Sequence, residues 1–112
     1  MAHYAFIDEN NIVIEVIAGI DETELIEGVT PEVWYQNFKN QTCKRTSYNA
    51  TIRGKYAGIG DTYNEEEDIF IVPQPFASWI RVGSFWEAPM AKPNDGKRYD
   101  WNETEGVWNE LS

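Results

Sequence analysis

Tyr63-Asn64-Glu65-Glu66-Glu67-Asp68-Ile69-Phe70, Trp79-Ile80-Arg81-Val82-Gly83-Ser84-Phe85-Trp86 and Trp101-Asn102-Glu103-Thr104-Glu105-Gly106-Val107-Trp108 each set two aromatics seven positions apart around a turn-like interval. In an antiparallel hairpin the positions of opposed residues add to a constant. Two residues an odd distance apart therefore face each other directly across a loop of even length. A four-residue loop sets Tyr63 opposite Phe70, Trp79 opposite Trp86 and Trp101 opposite Trp108. One more pair lies beside each: Asn64/Ile69, Ile80/Phe85 and Asn102/Val107. The late part of the chain thus predicts three hairpins, each clamped by an aromatic cross-strand pair. Pro73 and Pro89 fall three residues after the second aromatic of their pairs and stop the strands, because proline cannot donate to a ladder. Unequal spacing between the units makes them a repeated device, not a solenoid.

Upstream, residues 4–18 predict another hairpin. Tyr4-Ala5-Phe6-Ile7 is a short apolar strand, Asp8-Glu9-Asn10-Asn11 supplies turn chemistry, and Ile12-Val13-Ile14-Glu15-Val16-Ile17 returns. Alternation puts Ile12, Ile14 and Val16 on one face and Val13, Glu15 and Ile17 on the other, so the return strand is expected to be central. The nearness of the first strand to the N-terminus predicts an ordered Met1. Asp21-Glu22-Thr23-Glu24 begins a more helical stretch. Thr30-Pro31-Glu32-Val33 is a stronger start: a Thr N-cap, Pro at the first helical position and an acid close behind. One amphipathic helix is predicted over 31–39, packing on the sheet through Trp34 and Phe38, four apart and able to stack as core anchors. Gln41 to Tyr48 is acceptable strand material. Asn49 to Gly60 predicts an ordered, glycine-marked loop. The expected fold is α+β, mainly β, in a single domain over 1–112: hairpin, helix and Gly-rich loop in 1–60, the three clamped hairpins in 61–112.

Nineteen acids against nine bases give a net charge of −10. Phosphate recognition is driven by Lys and Arg clusters, so nucleic acid is not expected as a partner. No apolar run reaches the length of a membrane span, and the start lacks the charged-then-apolar layout of a secretion signal. No membrane partner is expected, and synthesis in the cytoplasm is. Cys43 is the sole cysteine and His3 the sole histidine. An internal disulfide is impossible, a zinc site lacks ligands, and Cys43 reads as a buried or half-buried structural thiol. Glu65-Glu66-Glu67-Asp68 lacks the spaced ladder and glycine of a calcium loop and reads as a solvated tip. Carboxylates abound without a framework that selects two of them for catalysis. The residues predict no catalytic set, no metal and no cofactor.

The tryptophans allow a second use. Trp and Tyr faces suit sugar rings and are enriched at protein interfaces. Trp79, Trp86, Tyr99, Trp101 and Trp108 are the interface candidates, with Trp101/Trp108 the favoured docking element. Tyr63/Phe70 and Trp34/Phe38 are assigned structural roles.

Several motifs together resemble a family of small proteins encoded by marine tailed bacteriophages, including cyanophages and relatives that infect other ocean bacteria. They are Met1-Ala2-His3-Tyr4-Ala5 with Asp8-Glu9-Asn10-Asn11, Thr46-Ser47-Tyr48-Asn49, Tyr56-Ala57-Gly58-Ile59-Gly60, Pro73-Gln74-Pro75-Phe76, Ser78-Trp79 and Trp86-Glu87-Ala88-Pro89. The chain departs from that pattern at Asp61, at Ala77 and at Arg81-Val82-Gly83. The resemblance implies a phage origin and a place in the particle, and supplies no catalytic residues. Small size, acidity, hairpins able to reach neighbours and the lack of a catalytic set lead to the expectation of a multi-copy virion component that is not an enzyme and binds other virion proteins. A capsid decoration or cement subunit is the leading expectation. A tail, baseplate or fibre-associated component and a glycan-binding module are the alternatives.

Overall fold

Tyr4, Ala5, Phe6 and Ile7 are all buried, and a strand buried on both faces belongs at the centre of a sheet. In the computed structural model, which describes residues 2–111, they lie in β1 (Ala2–Ile7). Met1, expected to be ordered, lies outside the described residues. β1 sits between β2 (Val13–Gly19) and β3 (Thr42–Thr46), antiparallel to both. Side-chain alternation divides the core in two. Ala5 and Ile7 join Val13, Ala57, Tyr63 and Phe70 on one face; Ala2, Tyr4 and Phe6 join Cys43 on the other.

The return strand β2 is thus an edge and not the centre, which corrects the expectation from its apolar content. A register shift explains the misleading pattern: Phe6 pairs with Glu15 but Ile7 pairs with Val13. Ile14 is the extra residue of this bulge and is exposed, while Val13 and Val16 share the core face. The open side of β2 is partly covered. Val13 N donates to Asp61 O at 2.8 Å, and Gly60 N donates to Val13 O at 2.8 Å.

The stretch 21–24, expected to be helical, is a turn. The Asp21 carboxylate accepts from the Thr23 backbone N at 2.9 Å and from its hydroxyl at 2.6 Å, a local bond that competes with helix. Helix α1 (Pro31–Lys39) starts where its signals place it, with the Thr30 hydroxyl accepting from Val33 N at 3.4 Å, and ends on Asn40 at φ 52°. Its docking face is the correction of most consequence. Tyr35, not Trp34 or Phe38, packs on Tyr4, at 4.9 Å between ring centroids. Polar heads from the same side complete the contact. Glu32 accepts from Arg45 N at 2.6 Å, Gln36 accepts from Cys43 N at 3.2 Å, and Lys39 pairs with Glu15 while lying over the Phe6 ring. Residues 32, 35, 36 and 39 form one helical stripe. Trp34 and Phe38 do stack, at 5.1 Å and 11°, but outward: Phe38 is 74% exposed.

β4 (Thr62–Asn64) and β5 (Ile69–Ile71) form the first clamped hairpin, with Tyr63 opposite Phe70 and Asn64 opposite Ile69 as predicted. Both aromatics are buried in the first core face. Asp68 adopts φ 55° and binds the Tyr63 hydroxyl and Arg53 Nε, the latter at 2.8 Å. Arg53 also reaches Glu32 at 2.9 Å, so loop, helix and hairpin share one ionic network. Lys55 and Asp61 form a second, largely buried pair that closes the 49–60 loop.

The chain divides into two compact units, residues 1–73 and 74–112, so β4–β5 groups with the first. The second unit contains β6 (Ile80–Val82) with β7 (Phe85–Glu87), and β8 (Tyr99–Asn102) with β9 (Val107–Glu110). β5 and β7 each end two residues before Pro73 and Pro89. The fold is α+β, mainly β, built of antiparallel hairpins with one short helix.

Candidate docking surface

In the second unit Trp101 lies directly across from Trp108, and Asn102 from Val107. The four-residue loop between them closes as predicted. Asn102 Oδ1 accepts from Glu105 N at 2.9 Å, and Gly106 supplies the positive φ of 69°. Trp101 and Trp108 meet edge-to-face at 5.1 Å and 68°. Trp79 then closes a triad, 6.1 Å from Trp101 and 6.0 Å from Trp108, again edge-to-face. Such geometry aligns the positive ring edge with a negative ring face.

Trp79 reaches that position from a turn, not from a strand. Trp79 N donates to Phe76 O at 3.1 Å, and the Gln74 amide donates to Ala77 O and Trp79 O at 3.3 and 3.2 Å. The Glu103 carboxylate ties this turn to the third hairpin. It accepts from Ser78 N at 3.0 Å, Ser78 Oγ at 2.6 Å and Trp101 Nε1 at 2.8 Å. The Ser78 hydroxyl and the Trp101 indole N–H hold the Glu103 carboxyl below its ordinary pKa. Trp108 Nε1 donates to Met90 O at 2.8 Å. Tyr99 donates to Asp95 at 2.6 Å, and that bond pushes its phenol up to about 12.

The expected Trp79/Trp86 clamp does not form. β6 and β7 pair as Ile80↔Glu87, Arg81↔Trp86 and Val82↔Phe85, which leaves only Gly83-Ser84 in the loop. A two-residue hairpin with the positive φ at its first position (Gly83, 62°) is favoured by the twist of the strands. The shift changes which residues share a face. Ile80, Val82 and Phe85 now lie together, 59%, 52% and 53% exposed, on a face they share with the exposed Glu87, while Arg81 and Trp86 are half-buried on the opposite side.

Trp101, the favoured docking residue of the sequence, is only 7% exposed, and Trp79, Trp86, Tyr99 and Trp108 are half-buried. The triad brings together Trp79, Trp101 and Trp108; Trp86 and Tyr99 lie outside it. The exposed apolar face of β6–β7 was hidden from the sequence by the aromatic spacing, although Gly83-Ser84 carried the signal of a tighter turn. Beside the triad, Trp79, Glu87, Ala88, Met90, Lys92 and Trp108 border a groove of about 510 Å³.

Cys43 is buried, and burial pushes its thiol up to about 12, so it stays protonated and unreactive near neutrality. His3 packs on the Tyr48 and Tyr56 rings at 6.0 and 5.4 Å. Among the described residues no group of three His, Cys, Asp or Glu side chains is placed to hold a metal. Among the same residues no helix is long and apolar enough to cross a membrane. The arrangement can offer apolar surface on a braced hairpin. Comparison with protein-family models, with curated proteins and with solved structures returns no match.

Proposed function

We propose that this chain is a non-enzymatic subunit of a tailed-phage particle, a capsid decoration or cement protein that docks on other virion proteins through the β6–β7 hairpin. The observation that carries the docking role is the common exposed face of Ile80, Val82 and Phe85. Large apolar side chains gathered on one exposed face mark interaction surfaces more often than they occur by chance. The tryptophan triad braces the same unit, and a pre-ordered surface loses less conformational entropy on binding. A chain that contacts several subunits of a lattice at once would gain avidity over any single contact. The phage setting rests on the motif resemblance.

A second reading, glycan binding, is favoured by the Trp79/Trp108 groove, since aromatic faces suit sugar rings. Quantitative mass spectrometry of purified particles tests the first. A copy number on the scale of the capsid lattice is expected, with Phe85→Asp lost from particles while its tryptophan emission stays native. A few copies per particle would indicate a tail, baseplate or fibre component. Absence from particles would overturn the virion role. Glycan-array binding abolished by Trp108→Ala, with folding intact, would favour the second reading.

A further inference from the structure

A separate surface lies on the first unit, where α1 turns Trp34 and Phe38 away from the sheet. The stacked rings, with Val29, Asn37 and Glu27, line an open groove of about 460 Å³. Val33 is exposed beside it. Tyr35 and the polar stripe of Glu32, Gln36 and Lys39 dock the helix; Trp34 is half-buried, edge-to-face with Tyr35, and Phe38 stacks on its outer side, 74% exposed.

The groove has one charged lining residue, Glu27, and the unit that carries it is acidic. Up to Pro73 the chain has thirteen acids and five bases, a net −8; from Gln74 it has six acids and four bases, a net −2. The five bases are all engaged. Lys39, Arg45, Arg53 and Lys55 pair with Glu15, Glu22, Glu32 and Asp61, and Lys44 lies 5.3 Å from the Tyr63 ring centroid. Glu27, which lines the groove, is exposed without a cationic partner among the described residues.

We infer that the Trp34/Phe38 groove is a docking site for a protein segment with an apolar anchor flanked by Lys or Arg. The stack supplies apolar contact area, and the Glu27 carboxylate on an acidic unit favours a basic flank and disfavours other acidic chains. A second copy of this chain is disfavoured on the same ground, since two acidic units would face each other.

The probes are two synthetic peptides with the same Leu-Trp-Leu core, one flanked by Lys and one by Glu, titrated into the ¹⁵N-labelled full chain. The Lys-flanked peptide is expected to shift amide signals across residues 27–38 and the Glu-flanked one to leave them in place. Raising salt from about 50 to about 500 mM should weaken the response. Phe38→Ala should reduce affinity about tenfold. Glu27→Lys, which leaves the rings untouched, should reduce it about threefold or more. An equal response to both peptides, no response at millimolar peptide, or shifts centred elsewhere would overturn the inference. So would a sedimenting dimer, or binding to phosphatidylcholine vesicles, that is lost in Phe38→Ala.

Discussion

Phe70 and Phe38 are both members of aromatic pairs recognisable in the sequence, yet only Phe70 is interior. It is fully buried, whereas Phe38 is 74% exposed. Phe70→Ala should therefore lower the unfolding free energy by about 3–5 kcal/mol. Phe38→Ala should stay within about 0.5 kcal/mol of the parent, as surface substitutions usually do. Urea denaturation of the two variants checks this; comparable losses would return Phe38 to the core. Tyr63 and Phe70 could be placed from sequence because their cross-strand spacing has one solution in a four-residue hairpin. The outward side of the helix could not. Its apolar residues point away from the sheet, and the docking stripe is built of Glu32, Tyr35, Gln36 and Lys39, whose polar ends find partners only in the fold. A hydrophobic pattern reports the wrong face when a helix docks by hydrogen bonds.

At the scale of elements, two clamped hairpins share a device visible in their residues. Asn64 and Asn102 accept from the backbone three positions on, and Asp68 and Gly106 take the left-handed position. The middle hairpin breaks the series because Gly83-Ser84 closes a shorter loop, a choice between two turn lengths that aromatic spacing alone does not decide. Trp79 is freed by that choice to join the triad, and Glu103 fixes it there through Ser78 and Trp101. Glu103 has a lowered pKa in the fold, so its contribution is full above the ordinary carboxylate range and is lost as pH falls through the lowered value. Glu103→Gln should therefore be less stable than the parent at neutral pH, and the difference should close in acid. Near-UV circular dichroism with thermal melts at several pH values reads it. A difference that persists unchanged below the carboxylate range would show that the carboxylate charge is not what holds the turn.

For the whole molecule, one chain carries an acidic unit with a half-open aromatic groove and a nearly neutral unit with an exposed apolar hairpin face. The mainly β architecture with one helix could be read in advance, since turn residues, prolines and the Thr30-Pro31 start mark most elements. The surfaces could not be read, because exposure depends on the bulge at Ile14, the tight turn at Gly83 and the facing of α1. The bulge and the facing of the helix are settled by pairing across the fold, and the turn by a local preference of Gly83 that competes with the aromatic spacing. A photoreactive phenylalanine analogue installed at position 85, and as a control at the exposed Tyr48, tests the docking role most directly when particles assembled with each variant are irradiated. Cross-links from position 85 to one recurrent virion protein, with few from position 48, are expected. Equal yields from both positions, or none from position 85 in particles that contain the chain, would contradict docking through this face.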